Sequence, residues 1–147
     1  RIFILIKKYY DNKIPQSGEY NNVDIELISS VKKTSTTILE NYNNFKIHDA
    51  IENSMSLFRM VNKFLEIKQP WKTAKDDAGQ KTITATTLYL SAEILRIGTI
   101  FLFPIMPNKT KTILNDLKSN DNYDVSFGKL KKNTEIDFTH NLFPKII

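Results

Sequence analysis

The sequence predicts an all-α protein, a bundle of about five helices closed by an extended C-terminal strap. Three observations predict it. Only four glycines occur in 147 residues, and long turn-free stretches fit helices better than many short strands. Apolar residues recur at three- and four-residue spacing in several windows, which marks helices with one buried face. One segment, Ile94–Phe103, is apolar nearly throughout, as the central helix of a bundle would be. A hydrophobic fraction of 41% and a charged fraction of 25% are ordinary for a globular chain. The length suits one domain with a real core.

Arg1 is followed by Ile2-Phe3-Ile4-Leu5-Ile6 and then by Lys7 and Lys8. Residues 1–11 read as the end of a helix, with cations in the last turn where the dipole favours them. A buried strand fits so short an apolar run as well. No initiator Met and no N-cap precede the run, and it is too short for a signal-peptide core. The chain therefore reads as a piece of a longer protein, entered in the middle of an element.

Turn residues make Asp11 to Gly18 a loop. A second helix is expected over 24–42, capped by Asp24 or Asn22, with Leu27, Ile28, Val31, Ile38, Leu39 and Tyr42 inward. The third, over 46–68, has the strongest pattern: Ala50, Ile51, Ser54, Leu57, Phe58, Val61, Phe64 and Leu65 on one face, with Glu52, Arg59, Asn62, Lys63 and Glu66 opposite. Pro70 ends it, because the residue before a proline is pushed out of the α region. Trp71 is then expected at a junction, outside any helix.

Asp76 to Gln80 read as a loop, followed by the central helix over 82–103. A membrane span needs about 20 uninterrupted apolar residues, and Arg96 and Pro104 interrupt this segment. Pro104-Ile105-Met106-Pro107 is a rigid turn. A short helix over 108–118 turns Ile113, Leu114 and Leu117 inward, a polar loop runs through Asp124, and the tail from Val125 forms the strap.

No catalytic residue and no metal ligand can be assigned. The absence of cysteine excludes disulfide scaffolds and thiolate metal sites and fits a reducing cytosol. His48 and His140 are far apart and lack metal-ligand spacing. There is no glycine-rich phosphate loop, nucleophile elbow or HExxH, and Asp76-Asp77 reads as a solvated turn. The net charge of +5, from 21 Lys+Arg against 16 Asp+Glu, permits nucleic-acid binding without requiring it. The only arginines are Arg1, Arg59 and Arg96. Arginine is the better residue for forked recognition of base edges, and lysine acts as a point charge.

Trp71 is the only tryptophan. It follows Pro70 directly, with Lys63 and Lys68 before it and Lys72 and Lys75 after. A ring fixed at a helix end among cations can stack an unpaired base beside a phosphate backbone. Taken alone it reads sooner as core, since most tryptophans are largely buried, and each lysine reads equally as part of a solvated face.

Four separated stretches carry a family resemblance. Asn62-Lys63-Phe64 leading to Gln69-Pro70-Trp71-Lys72-Thr73-Ala74-Lys75 resembles the "NKY…APWxxAK" signature of the anticodon-binding domain of methionyl-tRNA synthetases. Leu95-Arg96-Ile97 leading to Phe103-Pro104-Ile105-Met106-Pro107 resembles the "LRI…PFMP" segment of that family. Lys7-Lys8-Tyr9-Tyr10-Asp11-Asn12-Lys13-Ile14-Pro15 is similar to its "KYFDGKVP", and Leu142-Phe143-Pro144-Lys145-Ile146 to its closing "LFPRI". The matches stand in the family's order and cover nearly the whole chain.

The resemblance implies a helical bundle, residues 1–147, appended to a Rossmann-like catalytic domain and reading the CAU anticodon of methionine tRNA. The family's reading tryptophan maps onto Trp71. The arginine of its Asn-x-x-x-Arg pair maps onto Arg1, and the asparagine falls before the start of this chain. The implied RNA-binding residues are Trp71, Arg1, Pro70, Lys68, Lys72 and Lys75. The HIGH and KMSKS motifs are absent, so the aminoacylation chemistry, with ATP as cofactor and zinc as a second candidate, belongs to the catalytic domain of the parent enzyme. The implied partners are methionine tRNA and that catalytic domain, with no membrane, in the cytoplasm. Two other readings stand beside this one: the anticodon domain of a cysteinyl- or leucyl-type class I synthetase, and a helical protein-interaction module with Trp71 as its anchor.

Overall fold

The computed structural model describes residues 1–75, 78–119 and 123–138. Six helices follow one another among them: α1 (Ile2–Tyr10), α2 (Asn22–Asn43), α3 (Ile47–Lys68), α4 (Pro70–Thr73), α5 (Ala78–Phe101) and α6 (Pro107–Asp116). Five are those expected from the sequence. The sixth, α4, is a single turn that the sequence reading placed outside any helix. The closing Leu142–Ile146 stretch, His140 and Asp76-Asp77 lie outside the described residues.

Local chemistry sets the ends. The cap of α2 is Asn21, where Asp24 or Asn22 was expected. The Asn21 side chain accepts the Asp24 N–H, and the Asp24 carboxylate accepts the Asn21 N–H in return, a reciprocal capping box that satisfies two otherwise orphaned donors. On α2 the buried line is Val31, Ser35 and Ile38. Leu39, expected inward, is 47% exposed, because that line runs at steps of three and four and leaves position 39 one residue off the face. α5 starts at Ala78, inside the stretch expected as a loop, and ends at Phe101.

The bundle is built around α5, which packs on α1, α2, α3, α4 and α6. It is buried from Thr84 to Phe101 apart from half-buried Leu95. Its buried hydroxyls bond back along the helix: Thr84 to the Gln80 carbonyl, Thr86 to Thr82, Thr87 to Ile83 and Ser91 to Thr87. This satisfies these four hydroxyls as the threonine-rich helix enters the core, whereas the buried Thr99 hydroxyl near its end has no hydrogen-bond partner among the described residues. Gly98 permits α3 to approach closely: a Cβ there would lie 2.9 Å from the Phe58 ring. No helix among the described residues is long and apolar enough to cross a membrane.

The strap is present over 123–138. Backbone bonds join it to the loop after α1: Ile14 N–H donates to the Thr134 carbonyl, Asn133 N–H to Ile14, and Ile136 N–H to Asn12. Phe138 stacks on Phe3 of α1 with centroids 4.6 Å apart. A buried pair on α5, Glu93 and Arg96, holds the nearer half. Arg96 donates to Glu93 Oε1 and to the carbonyls of Asp124 and Ser126. Glu93 accepts the N–H groups of Lys129 and Leu130.

Candidate nucleic-acid interface

At Lys68, the end of α3, the chain reverses. Gln69 adopts a left-handed conformation, φ 46°, ψ 58°, and its N–H caps α3 by donating to the Leu65 carbonyl. This is the αL ending common at helix C-termini, here without glycine. Pro70 then opens α4 at its first position, where the missing N–H leaves nothing unsatisfied. Pro70 thus ends one helix by starting another. Its ring is buried, and the Thr73 hydroxyl lies 2.7 Å from that of Thr84 on α5. Trp71 therefore sits in a one-turn helix anchored to the central helix, which corrects the expectation of a junction outside any helix.

The Trp71 ring is half-buried and packs against the core. Arg1, seventy positions away in sequence, is exposed and places its guanidinium carbon 5.1 Å from the Trp71 centroid, within cation–π range. Lys72 and Lys75 are exposed. Beside Arg1 lies a hollow of about 250 Å³ lined by Phe3, Phe58, Val61, Asn62 and Phe138 among others. The surface thus offers an aromatic plane, an arginine fork, two free-standing ammonium groups and an apolar recess with one side-chain amide at its edge. Such a set can stack a base, meet its edge and follow a phosphate chain.

Lys68 does not belong with Lys72 and Lys75. Its ammonium is 2.8 Å from Asp24 Oδ1, with side chains 8% and 3% exposed, and lies 5.5 Å over the Phe64 ring. It faces into the bundle, so the role of phosphate contact expected from its position is corrected. Two residues of this region were not picked out from sequence. Asn62 stood inside the matching stretch and could have been found there. Asp24 was read only as a possible cap, and nothing in its local pattern points to a lysine 44 positions later. Among the described residues no group of three or more His, Asp or Glu could hold a metal ion, and no residue here is assigned to ATP.

A family model for the anticodon binding domain of methionyl tRNA ligase matches residues 14–147. The chain belongs to that family. The anticodon-binding domain is 30% identical over 146 residues to a methionine–tRNA ligase of Pyrococcus abyssi, covering 99% of this chain and 20% of that protein. It is 32% identical over 124 residues to one from Christiangramia forsetii, covering 83% and 18%. A crystal structure of Mycobacterium tuberculosis methionyl-tRNA synthetase superposes with a TM-score of 0.90 at 24% identity, over 100% of this chain and 30% of that one; this shares the fold. The chain spans about one fifth of the length of the curated relatives it matches. The family match sets aside the cysteinyl- or leucyl-type reading.

Proposed function

We propose that this domain reads the CAU anticodon of methionine tRNA on behalf of a methionine–tRNA ligase. The observation that carries the reading is the meeting of Arg1 and Trp71, two side chains remote in sequence whose planar groups lie 5.1 Å apart at one end of the bundle. Trp71 stacks the first anticodon base, Arg1 donates to base edges, and Lys72 and Lys75 hold the backbone without reading sequence. Pro70 serves as the rigid start of the turn that carries the ring. Residues 1–147 act as one tRNA-binding unit. In the parent protein they are joined to a catalytic domain that uses ATP to charge methionine tRNA, in the cytoplasm; zinc, if used, belongs to that domain. The relatives named as methionine–tRNA ligases support this reading.

The test compares anticodon stem-loops carrying CAU with loops changed at the first base. Stacking is worth about 1–3 kcal/mol per base, so Trp71→Ala weakens CAU binding by about 5- to 150-fold and removes the preference. Equal binding of all loops by the unaltered chain would contradict the proposal.

A further inference from the structure

We propose that Asp24 and Lys68 are a positioning pair that sets the direction of the Trp71 ring. Lys68 is the last residue of α3, three positions before Trp71. A lysine at a helix C-terminus ordinarily extends its ammonium into water and gains from the dipole there without burial. This one is turned inward onto Asp24 Oδ1 at 2.8 Å, with both side chains buried. The carboxylate cannot follow it freely, because Oδ2 accepts the Asn21 N–H at 3.0 Å. The end of α3 is thereby tied to the first turn of α2.

The tie matters because of the backbone just beyond Lys68. Gln69 is left-handed without being glycine, a conformation that persists only when the structure on both sides imposes it. On the far side, Pro70 is buried and the Thr73 and Thr84 hydroxyls are 2.7 Å apart. On the near side stands the Asp24–Lys68 pair. Trp71 lies between the two anchors, so the pair fixes the direction from which the chain enters its turn. A buried ion pair contributes little net stability compared with an apolar pair of similar volume. Stability alone thus gives little reason for the arrangement, whereas a buried ammonium held at 2.8 Å from a carboxylate that is itself fixed by the Asn21 N–H defines one orientation of the helix ends.

The functional consequence rests on the anticodon reading, but the positioning itself does not. Trp71 is the only tryptophan, so its emission and its quenching by acrylamide report this one ring. The variant of choice is Asp24→Asn with Lys68→Met. Asparagine keeps an oxygen for the Asn21 cap, methionine keeps the length of the stem, and no charge is left buried alone. Asp24→Asn with Lys68→Gln, which also leaves no buried charge unpaired, serves as the second variant if the first unfolds. Folding is verified by far-UV circular dichroism and cooperative urea unfolding.

The expected result is a folded variant whose Trp71 emission moves to longer wavelength, with steeper quenching, while Lys68→Arg on the unaltered background keeps both at their original values. Preference for the CAU loop falls by about tenfold, as for one coupled neighbour. A folded variant with unchanged emission and quenching overturns the proposal and leaves the pair as a fastener between α2 and α3. If the unaltered chain shows no preference among loops, the anticodon reading fails, and the emission still decides the positioning.

Discussion

Replacing Arg96 with methionine loosens the strap by removing a guanidinium that the core has no other way to replace. Its side chain is 1% exposed and that of Glu93 is 0% exposed. Methionine keeps the apolar stem and deletes the donations from Nε and Nη2 to Glu93 at 3.2 and 2.7 Å, from Nη2 to the Ser126 carbonyl at 2.6 Å, and from Nη1 to the Asp124 carbonyl. Glu93 stays buried, with only the Lys129 and Leu130 N–H groups at 2.8 and 3.0 Å. Breaking a buried pair from one side costs about 3–5 kcal/mol. The two remaining amide donors favour the lower end, about 3 kcal/mol. At about 2–4 °C per kcal/mol for a chain of this size, Tm falls by about 6–12 °C. Urea and thermal unfolding by circular dichroism measure this, and hydrogen exchange at Lys129 and Leu130 reports whether the strap opens ahead of the bundle. Replacing both partners, Glu93→Leu with Arg96→Met, recovers much of the stability but not the exchange protection. A loss below about 0.5 kcal/mol, within the range of an ordinary surface change, with unchanged protection would refute the reasoning and assign the strap to the packing of Leu130 and Ile136.

Two further outcomes rest on the same geometry. The Tyr89 phenol, buried beside the Glu93 carboxylate, is pushed up to about 12, against about 10 in an unfolded chain. The native state then holds a proton that the unfolded state has lost, so this contribution is fully present below pH 10 and drains away as pH rises toward 12, by about 1.4 kcal/mol per unit; urea midpoints across pH 9 to 12 measure it, and Tyr89→Phe flattens the decline. Changing Lys72 and Lys75 to alanine lowers the salt dependence of RNA binding by about one to two phosphate contacts, equally for every anticodon, as filter binding across a salt series would show.

Much of the fold was legible because it rests on local pattern. The three- and four-residue spacing in α3 delivered its buried face, and the apolar run in α5 identified the helix everything packs on. The features that were not legible depend on contacts between distant segments or on a single backbone torsion. The rule that a residue before proline leaves the α region located the end of α3, but it could not show that Gln69 would turn left-handed and let Pro70 begin another helix. Arg96 was legible as an interruption of an apolar run; its partner three residues earlier and the carbonyls of the strap needed the tertiary structure. Lys68 was grouped with Lys72 and Lys75 by proximity in sequence, and the structure separates them because a helix end faces Lys68 toward Asp24. Trp71 stood out as the only tryptophan and Arg1 by family resemblance, and only the folded chain brings the guanidinium over the ring.

The central claim is that Trp71 stacks the first anticodon base, and the ring itself can report it. Titrating the chain with a CAU stem-loop while following Trp71 emission should give saturable quenching, and a loop lacking only the first anticodon base should bind more weakly without that quenching. Equal quenching by both loops, or binding seen by another signal with Trp71 emission unchanged, would contradict the account.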